Sequence, residues 1–239
     1  MLSQNTIQTI AKKLQTTQLN IRREYVQHLL LSYLYKENQS DKFLFKGGTA
    51  LRIIYDSPRF SEDLDFSTSI RNTQRIEKMM LAALGEIERE GIQTEIRESK
   101  KTTGGHLGIV TFHLQEEVLD VQLEISQRQN VKKGELVTVA GDFIPPYTIV
   151  RLPQKQLIAE KIRALQTRKK PRDYYDLYFI LRKDLLEPKE RSVLKQIVKT
   201  IPSVDIDFKQ ELEKFLPQSH RSIIRDFKQN LLQEIRRFI

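Results

Sequence analysis

Residues 44–66 constrain this chain more than any other stretch. They read Leu-Phe-Lys-Gly-Gly-Thr-Ala-Leu-Arg-Ile-Ile-Tyr-Asp-Ser-Pro-Arg-Phe-Ser-Glu-Asp-Leu-Asp-Phe. The apolar run Phe43-Leu44-Phe45 passes through Lys46 into Gly47-Gly48-Thr49, a short apolar segment from Ala50 to Tyr55 follows, and Asp56-Ser57-Pro58 has turn chemistry. This pattern predicts a strand, a glycine turn that bares backbone N–H groups, a short helix and a second strand. Glycines at a strand-to-helix turn let a phosphate approach the backbone, and the helix N-terminus adds N–H donors and a favourable dipole. Asp63 and Asp65 are two apart on the predicted second strand, so their carboxylates project from one face. That arrangement suits a hard divalent cation such as Mg2+, which takes one or two carboxylates together with phosphate oxygens. Each feature alone has a plainer explanation, a tight turn with Thr49 as N-cap or a solvated strand. One short helix and a turn return the chain beside the glycine loop, so the two features support each other.

The flanking chain supplies the scaffold. Residues 5–35 read as helical, with Ile21, Tyr25, Val26, Leu29, Leu30, Tyr33 and Leu34 at three- to four-residue spacing. Residues 73–90 read as a second amphipathic helix, with Thr73 as N-cap and Gly91 at the C′ position. The period then changes to two: Ile92, Thr94 and Ile96; Val110, Phe112 and Leu114; Leu119, Val121, Leu123 and Ile125. An antiparallel or mixed sheet is expected from these runs. A third carboxylate is expected from a neighbouring strand, where Asp120 and Glu124 compete on one polar face and Glu124 is favoured. Residues 126–149, with Gly134, Gly141 and Pro145-Pro146, read as a connecting segment. From Pro153 onward the chain reads as helix. The expected architecture is α+β, a mixed-sheet domain with N-terminal helices over residues 1–148 and an all-helical domain over residues 149–239.

Charge divides the same way. Residues 1–150 carry 19 basic and 19 acidic side chains, while residues 151–239 carry 21 and 12, the whole net charge of +9. A basic helical part suits a polyanion, although a lysine-rich solvated surface reads the same. Six basic residues without an intervening acid run from Lys161 to Arg172. Lys161 and Arg168 are seven apart, on one helix face, and Lys161 is placed to reach a triphosphate; Arg163, Arg168, Lys169, Lys170 and Arg172 are candidates for RNA. Asp173 and Asp176 follow at a spacing that would buttress such cations by ion pairing. There is no Cys, which excludes disulfides and thiolate metal sites, and the four His have no ligand spacing. No apolar run approaches membrane-spanning length, so a cytoplasmic protein without a membrane partner is expected.

Lys46-Gly47-Gly48-Thr49-Ala50-Leu51, then Arg59-Phe60-Ser61-Glu62-Asp63-Leu64-Asp65-Phe66, then Glu160-Lys161 to Arg172-Asp173-Tyr174-Tyr175-Asp176-Leu177, together resemble the AbiEii/AbiGii toxins. These are nucleotidyltransferases of type IV toxin–antitoxin and abortive-infection systems, within the DNA polymerase β-like superfamily. The resemblance implies a polymerase β-like mixed-sheet domain and a helical domain. It implies that Lys46, Gly47, Gly48, Thr49, Ser61, Lys161 and Arg168 bind the nucleotide and that Asp63, Asp65 and Glu124 hold Mg2+. Lys161 would contact the triphosphate, and Asp173 or Asp176 would match a late catalytic acid. The implied partners are a nucleoside triphosphate, the 3′ end of tRNA as acceptor and a cognate antitoxin. Transfer to a protein or an aminoglycoside-like small molecule, and non-catalytic RNA binding, are the alternatives that these residues leave open.

Overall fold

Two helices, not one, precede the first strand. The computed structural model describes residues 1–115, 117–128 and 133–239. Helix α1 (Gln4–Lys13) and helix α2 (Gln18–Leu34) are divided where the sequence pattern predicts continuity. Gln15 takes a left-handed conformation with φ 53°, and the Thr17 side chain caps α2 by accepting from the Asn20 N–H at 3.2 Å. Threonine hydroxyls compete for backbone donors in this way, and here they override the apolar period.

The chain divides into two compact units, residues 1–56 with 60–153, and residues 57–59 with 154–239. The first unit is built on a sheet that has, among the described residues, seven strands in the order β3-β4-β5-β2-β1-β7-β6. These are β1 (Phe43–Lys46), β2 (Leu64–Thr68), β3 (Gln93–Thr102), β4 (Gly105–Leu114), β5 (Glu117–Gln127), β6 (Glu135–Val139) and β7 (Tyr147–Arg151). Helix α3 (Gly47–Tyr55) follows β1 directly, and helix α4 (Thr73–Arg89) follows β2. Strands β3, β4 and β5 form an antiparallel meander, β2 pairs β1 antiparallel, and β2 pairs β5 in parallel. The mixed sheet expected from the sequence is therefore present. The stretch expected to connect domains instead contains β6 and the start of β7, which pair antiparallel and extend the sheet past β1. Its glycines and prolines punctuate strands here. The cap of α4 is Asn72, whose side chain accepts from the Arg75 N–H at 3.3 Å, one residue ahead of the expected Thr73; Gly91 follows with φ +83°.

Period-two alternation makes β1, β2 and β5 two-sided. Phe43, Phe45, Leu64, Phe66, Leu123 and Ile125 are buried, with Phe66 packed on Phe43 and Phe45 at ring-centroid distances of 5.9 and 5.6 Å. Such pairs add roughly 0.5–1.5 kcal/mol beyond area burial. The Tyr35 hydroxyl, following α2, lies 2.7 Å from the Phe43 carbonyl and 2.9 Å from that of Val150, donating between β1 and β7.

Helix α2 also buries polar side chains. Glu24 receives the Arg52 guanidinium at 2.8 and 3.2 Å, and burial lifts its carboxyl above the ordinary range while Arg52 opposes this. His28 lies 2.8 Å from the Tyr147 hydroxyl through Nδ1 and packs on the Phe143 ring at 5.0 Å.

The second unit is helical: α5 (Gln154–Thr167), α6 (Pro171–Arg182), α7 (Arg191–Thr200), α8 (Phe208–Leu212), α9 (Arg221–Arg225) and α10 (Phe227–Arg236). Tyr174 and Tyr175 are core residues, Tyr174 edge-on to Phe208 at 5.5 Å and Tyr175 stacked on Phe227 at 6.0 Å. Asp226 interrupts the last apolar stripe between α9 and α10.

Burial, and secondarily Arg52, push His28 down to about 4 from 6.5. The folded protein thus keeps His28 neutral at pH values where the unfolded chain binds a proton. Its contribution is complete above pH 6.5 and is lost as pH falls toward 4, by up to about 3 kcal/mol. Urea unfolding at pH 7, 5.5 and 4.5 should show this decline in the wild type and a flatter one in His28→Gln. Parallel declines in the two proteins would refute it.

Candidate active site

The site begins where β1 ends. Gly47 opens α3 with φ +84°, a conformation that side-chain-bearing residues rarely adopt. A Cβ at Gly47 would lie 1.9 Å from Oδ2 of Asp65. The glycine is thus required twice, by the turn and by the carboxylate seated over it. Gly48 and Thr49 complete the first turn of α3, and no side chain caps this helix at Lys46. Thr49 is fully buried, and its hydroxyl donates to the Asp63 carbonyl, tying the helix start to the residue before β2. The hydroxyl expected to meet a phosphate is thereby committed to the Asp loop. Lys46 is buried and stands opposite Asp65 in the β1–β2 register.

Strand pairing assembles the carboxylates. Asp63 precedes β2 by one residue, so only Asp65 lies within the strand. Asp65 is register partner to Glu124 across the parallel β2–β5 pair. Directly opposite residues on neighbouring strands point to one face, so these two carboxylates are neighbours. Gln122 donates to Glu124 at 2.8 Å. Asp120, the competing candidate, accepts from the Thr111 hydroxyl at 2.6 Å and pairs with Arg97, toward β4 and β3. Register therefore separates Asp120 from Asp65 by four residues along the strand. Among the described residues no group of three or more His, Asp or Glu side chains is gathered closely enough to hold a metal ion. The donors at β2 and β5 are nonetheless all carboxylate oxygens, and Mg2+ needs only one or two of these with water and phosphate oxygens.

The loop before Asp63 is held from α2. Buried Gln27 donates through Nε2 to the carbonyls of Ser61 and Glu62, each at 3.0 Å, and Arg23 lies 3.4 Å from the Glu62 carboxylate. Ser61 thus enters this arrangement through its backbone. Gln27 escapes sequence reading, because its only signal is a polar residue within an apolar helical stripe.

The remaining predicted residues belong to the second unit. Asp176, 1% exposed, accepts from Arg59 Nε at 2.9 Å and Nη2 at 3.2 Å, and from Lys161 Nζ at 2.8 Å. Burial pushes its carboxyl up, but Arg59 and Lys161 together outweigh that and hold it below the usual carboxylate range. Asp173, equally buried, pairs with Arg168 at 2.5 Å and accepts from the Lys170 N–H at 3.2 Å, capping α6. Both late aspartates are thus occupied by cations and backbone, the buttressing geometry and not that of an open acid. Lys161 keeps 11% of its side chain exposed. Arg163, Arg168, Lys169 and Lys170 are exposed, while Arg172 is half-buried and 4.0 Å from Glu211. Arg59 escapes sequence reading, since its partner Asp176 is 117 residues away.

Residues 28–237 match the family model described as nucleotidyl transferase AbiEii toxin, type IV TA system. Among solved structures, the chain is similar to JHP933 from Helicobacter pylori, with 21% identity, TM-score 0.69 and 93% of each chain covered. It is likewise similar to a Helicobacter pylori protein described provisionally as a nucleotidyltransferase, with 22% identity, TM-score 0.67, and 93% of this chain and 95% of that one covered. Likeness at these identities speaks to the fold alone. No curated protein matches the chain. Among the described residues, no helix is long and apolar enough to cross a membrane.

Two glycines give opposite outcomes on substitution. Gly47→Ala should destabilise by about 1–3 kcal/mol from its backbone alone and abolish nucleotide binding, because Asp65 must move. Gly85 lies within α4, where an added methyl would meet no atom within 4 Å, so Gly85→Ala should stabilise by about 0.5–1 kcal/mol. Chemical denaturation of both variants, with nucleotide titration, checks the pair.

Proposed function

The chain belongs to the AbiEii family of nucleotidyltransferase toxins of type IV toxin–antitoxin systems, and from that premise we propose that it transfers a nucleotide from a nucleoside triphosphate to RNA, using Mg2+. The observation that carries this reading is the placement of Asp65 directly over Gly47 and beside Glu124. One strand thereby joins a phosphate-accepting helix start to a carboxylate face. Asp65 and Glu124, with Asp63 carried on the loop just before β2, would supply one or two carboxylates to Mg2+ beside water and phosphate oxygens; the ion would contribute charge neutralisation at the phosphates and a more acidic acceptor hydroxyl.

The placement of the first unit's residues supports the following roles. Backbone N–H groups of Gly47 and Gly48, at the positive end of α3, receive phosphate oxygens. Lys161, in the second unit, is the cation that the family resemblance assigns to the triphosphate. Thr49, Gln27 and Ser61 act through the backbone that carries Asp63. The acceptor oxygen attacks the α-phosphorus and the bond to the β-phosphate breaks. Pyrophosphate leaves, and the hydroxyl proton passes to water or a carboxylate of this face. Asp176, held low by its two cations, is a poor acceptor for that proton.

The basic second unit supports RNA as acceptor, with exposed Arg163, Arg168, Lys169 and Lys170 as backbone contacts. The 3′ end of tRNA is the acceptor implied by the family resemblance, and a cognate antitoxin is the partner implied by the system type.

Incubation with each labelled nucleoside triphosphate, Mg2+ and total RNA should label RNA in the tRNA size range. Asp65→Asn should lower the rate on the order of 1000-fold. Label confined to a protein band, or RNA labelling undiminished in Asp63→Ala/Asp65→Ala, would overturn the reading.

A further inference from the structure

Lys46 stands where two local rules disfavour it. It is 8% exposed, and it is the N-cap residue of α3, at the positive end of the helix and without a side-chain cap. A buried lysine needs an anion, N-cap positions favour Ser, Thr, Asn or Asp, and a cation is unwelcome at a helix start. The sheet explains the exception. Lys46 is register partner to Asp65, and Asp65 to Glu124, so a buried cation and two carboxylates follow one another across β1, β2 and β5 on one face. The Asp65 carboxylate also turns back toward the end of β1, because its Oδ2 fills the space that a side chain on Gly47, the residue after Lys46, would need. Further along the same row come Leu107 on β4 and Lys100 on β3, and Lys100 is exposed and paired with Glu98. Within that row Lys46 is the cation next to the carboxylates.

We propose that Lys46 is the resident counter-ion of the Asp65–Glu124 pair, so that a divalent ion enters this face together with a triphosphate and not alone. The proposal rests on the reading above that this face takes Mg2+. To admit an ion by itself, the carboxylates must give up an ammonium that already neutralises them, which leaves a buried lysine without an anion. When a triphosphate accompanies the ion, phosphate oxygens at the glycine turn, one residue from Lys46, give the ammonium a new partner. Ion and nucleotide thereby favour each other's binding, and the coupling is set by one positioning residue.

Binding of the ion alone separates this role from a purely structural one. Mn2+ is titrated into the nucleotide-free protein and followed by the electron paramagnetic resonance of the free ion, with folding checked by far-UV circular dichroism. Lys46→Met, which keeps the apolar stem and removes the charge, should bind Mn2+ roughly 10- to 100-fold more tightly than wild type. Lys46→Arg should stay within about threefold of wild type, and Lys46→Met/Asp65→Asn should lose most of the gain. Mn2+ affinity in Lys46→Met equal to or below that of wild type would overturn the proposal. Should Lys46→Met unfold without the ion, Mn2+ decides: the proposal requires the ion to restore the fold, and a chain unfolded at every Mn2+ concentration contradicts it. A non-hydrolysable triphosphate analogue, titrated calorimetrically with Mg2+ into wild type and Asp65→Asn, tests the metal reading separately. Equal affinities there refute that reading, whatever Lys46 does.

Discussion

The first unit turns on one close approach, the Asp65 carboxylate lying over the α-carbon of Gly47. Only a glycine admits it, and the left-handed turn at the same residue demands glycine independently. This contact locks the start of α3 against β2, and the Thr49 hydroxyl on the Asp63 carbonyl secures the next residue pair. Gln27 then holds the Ser61 and Glu62 carbonyls from α2. Register follows. A one-residue slip of β2 would turn Asp65 into the layer occupied by Phe43, Phe45 and Phe66 and expose Phe66 on the opposite face. Apolar burial on one side therefore fixes where the carboxylate stands on the other.

What the sequence reveals and what it withholds divide along the range of the interactions. Strand, glycine turn, helix and Asp-Leu-Asp are adjacent in the chain, and their periods of two and 3.6 are visible without partners. The choice between Asp120 and Glu124 is of another kind. Both share a face, and only the parallel pairing of β2 with β5 brings Glu124 to Asp65 while leaving Asp120 to Thr111. The break between α1 and α2 is local but turns on side-chain capping by Thr17, against an unbroken apolar pattern. Strands β6 and β7 are hidden because their glycines and prolines resemble a linker, and their pairing is to each other and to β1. Arg59 opens the motif that leads to Asp63, but its pairing with Asp176, 117 residues on, leaves no local signal.

Buried charge recurs, and stability is a poor explanation of it. Glu24–Arg52, Arg168–Asp173 and Arg59–Asp176–Lys161 each take ions from water, and such pairs are often no more stabilising than apolar residues of equal volume. Direction is what they add. Arg52 stands in the last turn of α3, so Glu24 anchors the far end of the helix whose first turn meets Asp65. Asp173 caps the helix that carries Asp176, three residues on and therefore on a neighbouring face.

The carboxylates consequently separate by the company they keep. An acid that accepts from an arginine fork and a lysine ammonium binds protons weakly, and Asp176 is held below the ordinary range even against the opposing effect of burial. Asp65 and Glu124 meet at the strand register, with Lys46 opposite Asp65 on its other side, in a stretch, residues 1–150, whose charges balance. Positive charge is concentrated instead in the helical unit. A polyphosphate needs both: cations to attract it, and carboxylates to hold the hard cation that accompanies it. Buried Asp173 and Asp176 keep cationic partners of their own, so the surplus of positive charge in the helical unit is carried by exposed side chains such as Arg163, Lys169 and Lys170.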